Sequence, residues 1–380
     1  MVVRHRLITG GTAIGATVAA LCIGVSSASA ATASARLYVS PSGGGAGTSC
    51  ADAGFSSIQA AVDAAPAGGT VIVCKGTYKE SVTVSKSMTL AGRPGAVIDA
   101  TGQPYGVGMT ASYVTVSGLT VKNAAASDSA PGDGIITAGF GASGPVSGNH
   151  ETIRGNRVIG NQGSGIDVET TSYTRVYDNV SKNNGIGINV VDDFGKPASH
   201  NRIIGNVANR NPGGCGIVLA EHSGAGVFRN VVRGNIADRN GLGTPSAPKA
   251  SSGSGLIIAG GGGKGGVYRN VVEYNEFRQN GHGGIAIHVH SKGMDFSGNR
   301  LIGNVIGTNN LRTDAGDLKH TGIYIGSASK LSVVVLRNVI THNFYGVFTA
   351  GPVRLPGAST NVYSDVAHHR GAIKVFPATE

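Results

Sequence analysis

The chain has no tryptophan, and aromatic residues make up only 5% of it. That argues against gripping neutral sugars by ring stacking and against a platform for stacking single-stranded bases. Charged residues are also sparse, at 14%, and no run of lysine or arginine stands out despite a net charge of +10. A nucleic-acid reading is therefore weak, whereas an anionic partner of another kind suits the overall sign. Four cysteines are too few for a disulfide scaffold, and no Cys/His spacing resembles a zinc cluster. Long apolar runs are missing except at the start, Leu7 to Val25, so nothing later approaches a membrane span.

That first segment reads as an export signal. Arg4 and Arg6 precede the apolar run, and Ala28-Ser29-Ala30 forms a cleavage site, with Ala33-Ser34-Ala35 as a second candidate. The expected division is a signal over 1–30 and one domain over 31–380, secreted and without a membrane anchor. Cleavage removes two basic residues, leaving a charge of +8 (29−21). In an oxidising compartment Cys50 and Cys74, which flank the first structured segment, are expected to pair. Cys215 has the parity of an inward-facing strand residue and is expected to be a buried, inert thiol.

What the chain has in abundance is glycine, 62 residues, without a collagen period. Glycine recurs with asparagine in a repeated unit, seen clearly in NVVEYNEFRQNGHGGIAIHVH from Asn270 to His290. An Asn-x-apolar-apolar-x-Asn hexad, sometimes with its first Asn replaced, ends at Asn161, Asn179, Asn206, Asn235, Asn275, Asn304 and Asn343. A Gly-apolar step follows each time, as in Gly165-Ile166, Gly216-Ile217 and Gly284-Ile285. Gly134-Ile135 is one earlier copy. The interval between hexads varies from 18 residues (Asn161 to Asn179) to 40 (Asn235 to Asn275), which excludes a helical-hairpin repeat of fixed length. The runs are short, β-branched and closed by Asn or Gly, so each is a strand bounded by turns. One such coil cannot bury its apolar face alone; stacked on a neighbour at ~4.8 Å it can. The asparagines are expected to form a single inward column, each tolerating a left-handed corner and bonding to the next coil.

These motifs resemble the right-handed parallel β-helix repeats of the pectate-lyase-like superfamily, from about Ala35 to the C-terminus. The resemblance implies an all-β, single-stranded parallel solenoid, and polysaccharide lyases, hydrolases, epimerases and non-catalytic proteins all share that fold. Ser57 followed by apolar residues at 58, 61, 62 and 65 predicts a short helix, placed to cap the open N-terminal end. Long excursions on both sides of the Gly-Ile strand, among them Asp192 to His200, Glu221 to Val227 and Leu311 to His320, would wall a groove whose floor is that sheet.

If the apolar residue after each glycine points inward, the outward columns read Asp167, Asn189, Val218, Ile257, Ala286, Tyr324, and then Glu169, Val191, Ala220, Ala259, His288, Gly326. The groove is expected to have an acidic end, Asp167, Glu169, Asp192 and Asp193, and a histidine-rich end, His288 and His290. Glu221-His222 lies between, and Lys292 and His320 come from the walls. Asp192-Asp193 and Gly281-His282-Gly283 echo two polygalacturonase motifs but lie too many coils apart, and the Asp-Pro-His-Asp signature of C5-epimerases is absent.

The expectation is a secreted enzyme that cleaves a uronate-containing polysaccharide by β-elimination. Asp167, Glu169 and Asp193 would neutralise the substrate carboxylate, as a protonated acid or through Ca²⁺. Asn189, Lys292 and His320 would hold substrate. His288 or His290 would serve as base, with Tyr324 or His222 as the donor to the leaving oxygen. Glu169 and His288 stand four coils apart, ~19 Å, so one sugar cannot touch both; Asp193 with His222 is the alternative centre. The competing readings are a glycoside hydrolase with paired carboxylates and a non-catalytic glycan-binding or structural β-helix.

Overall fold

A computed structural model describes residues 35–126, 131–141, 144–243, 253–261, 265–289, 291–310 and 321–376. The expected signal over 1–30, His290 and His320 lie outside these residues.

Three-residue strands are unstable alone, and here each is paired in parallel with its equivalent in a neighbouring coil, on both sides except at the ends of a sheet. Two eleven-stranded parallel sheets run the length of the chain. One, the back sheet, begins at Arg36–Val39 and ends at Val334–Leu336; the other, the groove sheet, runs from Val82–Val84 to His368–Ile373 and contains the Gly-Ile strands. The third side is a six-stranded sheet starting at Gly76–Tyr78 and a four-stranded sheet starting at Glu276–Phe277. Ile236 bridges between them, to Val207 and to Glu276. Register is set by burial. In the groove sheet Ile166, Ile188, Ile217, Leu256, Ile285, Ile323 and Val347 stand opposite one another and are fully buried. A slip of one residue would turn this whole column to solvent.

The asparagines form three ladders, where the sequence pattern suggested one. Asn156, Asn179, Asn206, Asn235, Asn275, Asn304, Asn338 and Asn361 are linked amide to amide. Asn161, Asn184, Asn211, Asn240, Asn280 and Asn309 form a second ladder that reaches Asn343 through the Asn309 backbone. Asn201, Asn230, Asn270 and Asn299 form a third. Asn161 and Asn343 therefore belong to a different column from Asn179. Successive ladders lie five residues apart along the chain, as in Asn201, Asn206, Asn211, so one hexad pattern matches either corner. The left-handed residue is also not the ladder asparagine but its predecessor: His200, Arg210, Arg229, Arg239, Arg269 and Tyr274 all have φ between 55° and 58°. The asparagine then supplies what backbone cannot, an acceptor and a donor both aimed along the solenoid axis.

That geometry makes a quantitative demand. Asn275 Oδ1 accepts from the backbone N–H and the amide of Asn235, both at 2.9 Å, in a buried site. Asn275→Ala orphans both donors, each at a cost of roughly 1–3 kcal/mol. Urea unfolding should show that loss; an unchanged midpoint would refute the ladder's role.

The helix forms over Ile58–Ala64, with Ile58, Ala61 and Val62 buried. Ser57 caps it by accepting from Ala60 N–H, and the Glu80 carboxylate accepts from Ile58 and Gln59 N–H. It packs against the first strands of both eleven-stranded sheets, as an end cap should. Cys50 and Cys74 are joined with Cα atoms 5.6 Å apart. Cys215 is buried outside any disulfide, but on the outer face with Val191, Val218 and Ala220 rather than in the inward core its parity suggested, because the strand alternation does not extend back past Gly216. Among the described residues no helix is long and apolar enough to cross a membrane.

Candidate functional site

The groove sheet places Asp167 beside Asn189 and Glu169 beside Val191 on adjacent coils. Alternation aims both carboxylates out of the core, yet they are almost wholly covered, at 5% and 2% exposure. Sequence parity states their direction and not their cover. Asn189 donates to Asp167 Oδ1 at 3.2 Å, Thr170 donates a short hydrogen bond to Glu169 Oε1, and Thr137 Oγ1 accepts from Glu169 N–H at 2.8 Å.

A third carboxylate joins them that the sequence pattern does not select. Asp133 stands two residues before the inward Ile135, opposite Tyr105 on the preceding coil. It is fully buried, accepts from Ser164 N–H at 2.6 Å, and its Oδ2 has no protein partner. The residue before each glycine also faces outward, and that column is the signal that would find it.

Crowding decides the protonation of this group. Burial pushes Asp133 up to about 7, with Asp193 adding to the rise. Asp167 is raised well above the ordinary carboxylate range by burial, then by the charges of Asp133, Glu169 and Asp193. Burial lifts Glu169 to about 8 against the opposing Thr170 bond, with Asp193 again raising it. Three acids in contact cannot all ionise, so the cluster carries protons at neutral pH.

At its open edge lies a histidine–carboxylate pair. His222 Nδ1 and Asp193 Oδ1 are 2.5 Å apart, and both side chains are reachable from solvent. The Asp193 bond raises the imidazole above its usual value, outweighing partial burial. The neighbouring Asp192, expected at the acidic end, plays a structural part instead. It is buried and accepts from His222 N–H and Gly226 N–H, both at 2.7 Å, and from the Ser223 hydroxyl at 3.0 Å. These bonds fix the turn that carries His222.

The histidine-rich end is a separate place. His288 is half-buried, with its ring 5.0 Å from that of Tyr324. Tyr324 is only 1% exposed, packed with Phe348, Ala350 and Phe376, so it is closed to a polymer rather than lining the groove. Val191, Ala220 and Ala259 separate Glu169 from His288 along one column. Lys292 is exposed beyond that end. The structure thus gathers Asp133, Asp167, Glu169, Asn189, Asp193 and His222, and leaves His288, Tyr324 and Lys292 elsewhere.

The calcium expected at Asp167, Glu169 and Asp193 does not fit this donor set. Among the described residues no group of three or more His, Cys, Asp or Glu side chains is spaced to hold a metal ion. The first two carboxylates are almost wholly covered, and Asp193 is turned to His222.

Comparison with known proteins agrees on architecture. The family described as periplasmic copper-binding protein (NosD) matches residues 141–241. No curated protein matches. Among solved structures, pectate lyase Pel9A is 19% identical, with a TM-score of 0.52 over 90% of this chain and 78% of its own. An alginate lyase from Paenibacillus sp. is 15% identical, TM-score 0.53, over 84% and 96%. The A-module of the Azotobacter vinelandii mannuronan C-5 epimerase AlgE4 is 18% identical, TM-score 0.51, over 84% and 93%. With the stacked parallel coils, the inward ladders and the capped end, these likenesses identify the chain as a right-handed parallel β-helix repeat protein.

Proposed function

We propose that the protein is secreted and cleaves a uronate-containing polysaccharide by β-elimination at the acidic end of its groove. The observation that carries this reading is the His222–Asp193 pair at 2.5 Å beside a Glu169 that burial holds protonated near neutral pH. β-Elimination needs both parts. The neutral, buried acids beneath the pair set no second anion against the substrate carboxylate, so charge developing at C5 is not opposed. A base then removes the C5 proton. With Nδ1 held by Asp193, Nε2 of His222 is the base, and Asp193 stabilises the imidazolium that forms.

The C5–H electrons form the C4–C5 double bond, the C4–O bond breaks, and the imidazolium returns its proton to the leaving oxygen. His222 thus fills the donor role for which Tyr324 is the other candidate, since Tyr324 is buried. No step requires a metal. Hydrolysis by paired carboxylates is less well supported: Asp193 is turned to His222, and Asp167 and Glu169 are almost wholly covered, so no two free carboxylates face a substrate there. The similar structures named as a pectate lyase, an alginate lyase and a mannuronan epimerase are in keeping with this class of substrate.

The test is incubation with polygalacturonate and with alginate, with and without a chelator, followed by ultraviolet absorbance and mass. Unsaturated oligosaccharides, formed equally with chelator, are the expected products. Saturated fragments carrying an added water would move the assignment to a hydrolase. Intact polymer from both would leave only the glycan-binding reading.

A further inference from the structure

A second groove lies around the corner from the acidic cluster, on the back sheet. It has a volume of about 490 Å³ and is lined by Tyr113, His150, Tyr173, His200, Arg175 and Arg202. The rings form a column along the solenoid axis: Tyr113, His150, Tyr173 and His200 stack with successive centroids 4.9 Å apart. Tyr113, His150 and Tyr173 occupy left-handed corner positions, as does His200, which is why one ring stands on each coil.

Beside this column the strands Arg175–Tyr177 and Arg202–Ile204 place Arg175 and Arg202 directly opposite each other. Like charges facing across neighbouring strands are unfavourable, and both guanidinium groups are exposed without an ion-pair partner among the described residues. Arg229, also on the groove wall, is in the same condition. The contrast with Arg233, which meets Glu273 at 3.5 Å, shows that carboxylates are placed on this sheet where pairing is wanted.

We propose that this groove binds an anionic polysaccharide lengthwise, with carboxylate or sulfate groups between the arginines and sugar hydroxyls against the ring edges. Arginine suits such planar oxyanions. The stacked rings decide between classes of polyanion. Single-stranded nucleic acid is gripped by bases lying on open ring faces, and here the inner faces of the stack are covered by neighbouring rings, so the column offers edges rather than a run of open faces. The site also answers a problem in the groove sheet, whose acidic end has no attraction of its own for a polyanion. Binding here is independent of whether that end turns substrate over.

The test is affinity for polygalacturonate at low and at physiological salt, measured calorimetrically, with dextran and a single-stranded oligodeoxynucleotide as comparison polymers. The paired substitution Arg175→Gln with Arg202→Gln should weaken polygalacturonate binding at least tenfold and reduce its salt dependence. The melting temperature should not fall, since the change removes a like-charge contact. Arg233→Gln, which removes an arginine on the same sheet already paired with Glu273, should bind as tightly as the parent protein. Unchanged affinity in the paired variant, equal binding of dextran or of the oligonucleotide, or loss of binding in Arg233→Gln would each overturn the assignment.

Discussion

The melting temperature should fall as pH rises from 5 to 9, the reverse of ordinary acid denaturation. Asp133 sits at about 7 in the folded protein, and Glu169 at about 8; both would be near 4 in the unfolded chain. Between those limits the folded state keeps protons that the unfolded state has lost, so the slope of stability with pH is negative. The contribution is complete below pH ~4 and is lost as pH passes through 7 to 8. Asp167 and His222, both raised, act in the same direction. A displacement of several pKa units in buried groups corresponds to a loss on the order of a few kcal/mol, shared among coupled sites rather than owned by one. Replacing the ionisable groups with neutral isosteres, Asp133→Asn together with Glu169→Gln, should flatten the curve and make the variant the more stable protein at pH 8. A melting temperature that stays level or rises over this range in the parent would show that these carboxylates ionise freely.

The same protons set the proposed chemistry. His222 must be neutral to act as base, so kcat/KM should climb through a pKa above 6.5, because Asp193 favours the imidazolium. Glu169 must keep its proton, so the rate should fall again through about 8. The profile is a narrow bell whose limbs belong to the coupled group. Glu169→Gln retains a hydrogen-bond donor that does not titrate, so its alkaline limb should move or vanish while activity persists below it. A parent profile without an alkaline limb would separate Glu169 from the reaction.

Much of this architecture is written locally. Gly-Ile steps with β-branched neighbours dictate short buried strands, and the spacing of Ile58, Ala61, Val62 and Ala65 gives the capping helix at the place where it forms. Pairing of Cys50 with Cys74 follows from their flanking position. Other features depend on what lies above or below a residue. Ladders five residues apart produce one hexad pattern, so Asn161 and Asn179 look equivalent although they occupy different corners. Alternation states which way Tyr324 points; it cannot state that Phe348 and Phe376 cover it. Asp133 is hidden because it belongs to the outward column before each glycine, not to the columns after it. The back groove is hidden for a related reason: Tyr113, His150, Tyr173 and His200 are 23 to 37 residues apart in sequence and meet only when the coils stack.

The central claim is that reaction occurs at the acidic end and not at the histidine-rich end. Initial rates of unsaturated product from polygalacturonate and from alginate should be compared for the parent protein, His222→Ala and His288→Ala at the top of the bell. Losing a positioned base and proton donor should slow His222→Ala by at least ~100-fold, while His288→Ala, separated by four coils or ~19 Å, runs near the parent rate. A His222→Ala variant as fast as the parent, or a collapse confined to His288→Ala, would contradict the account.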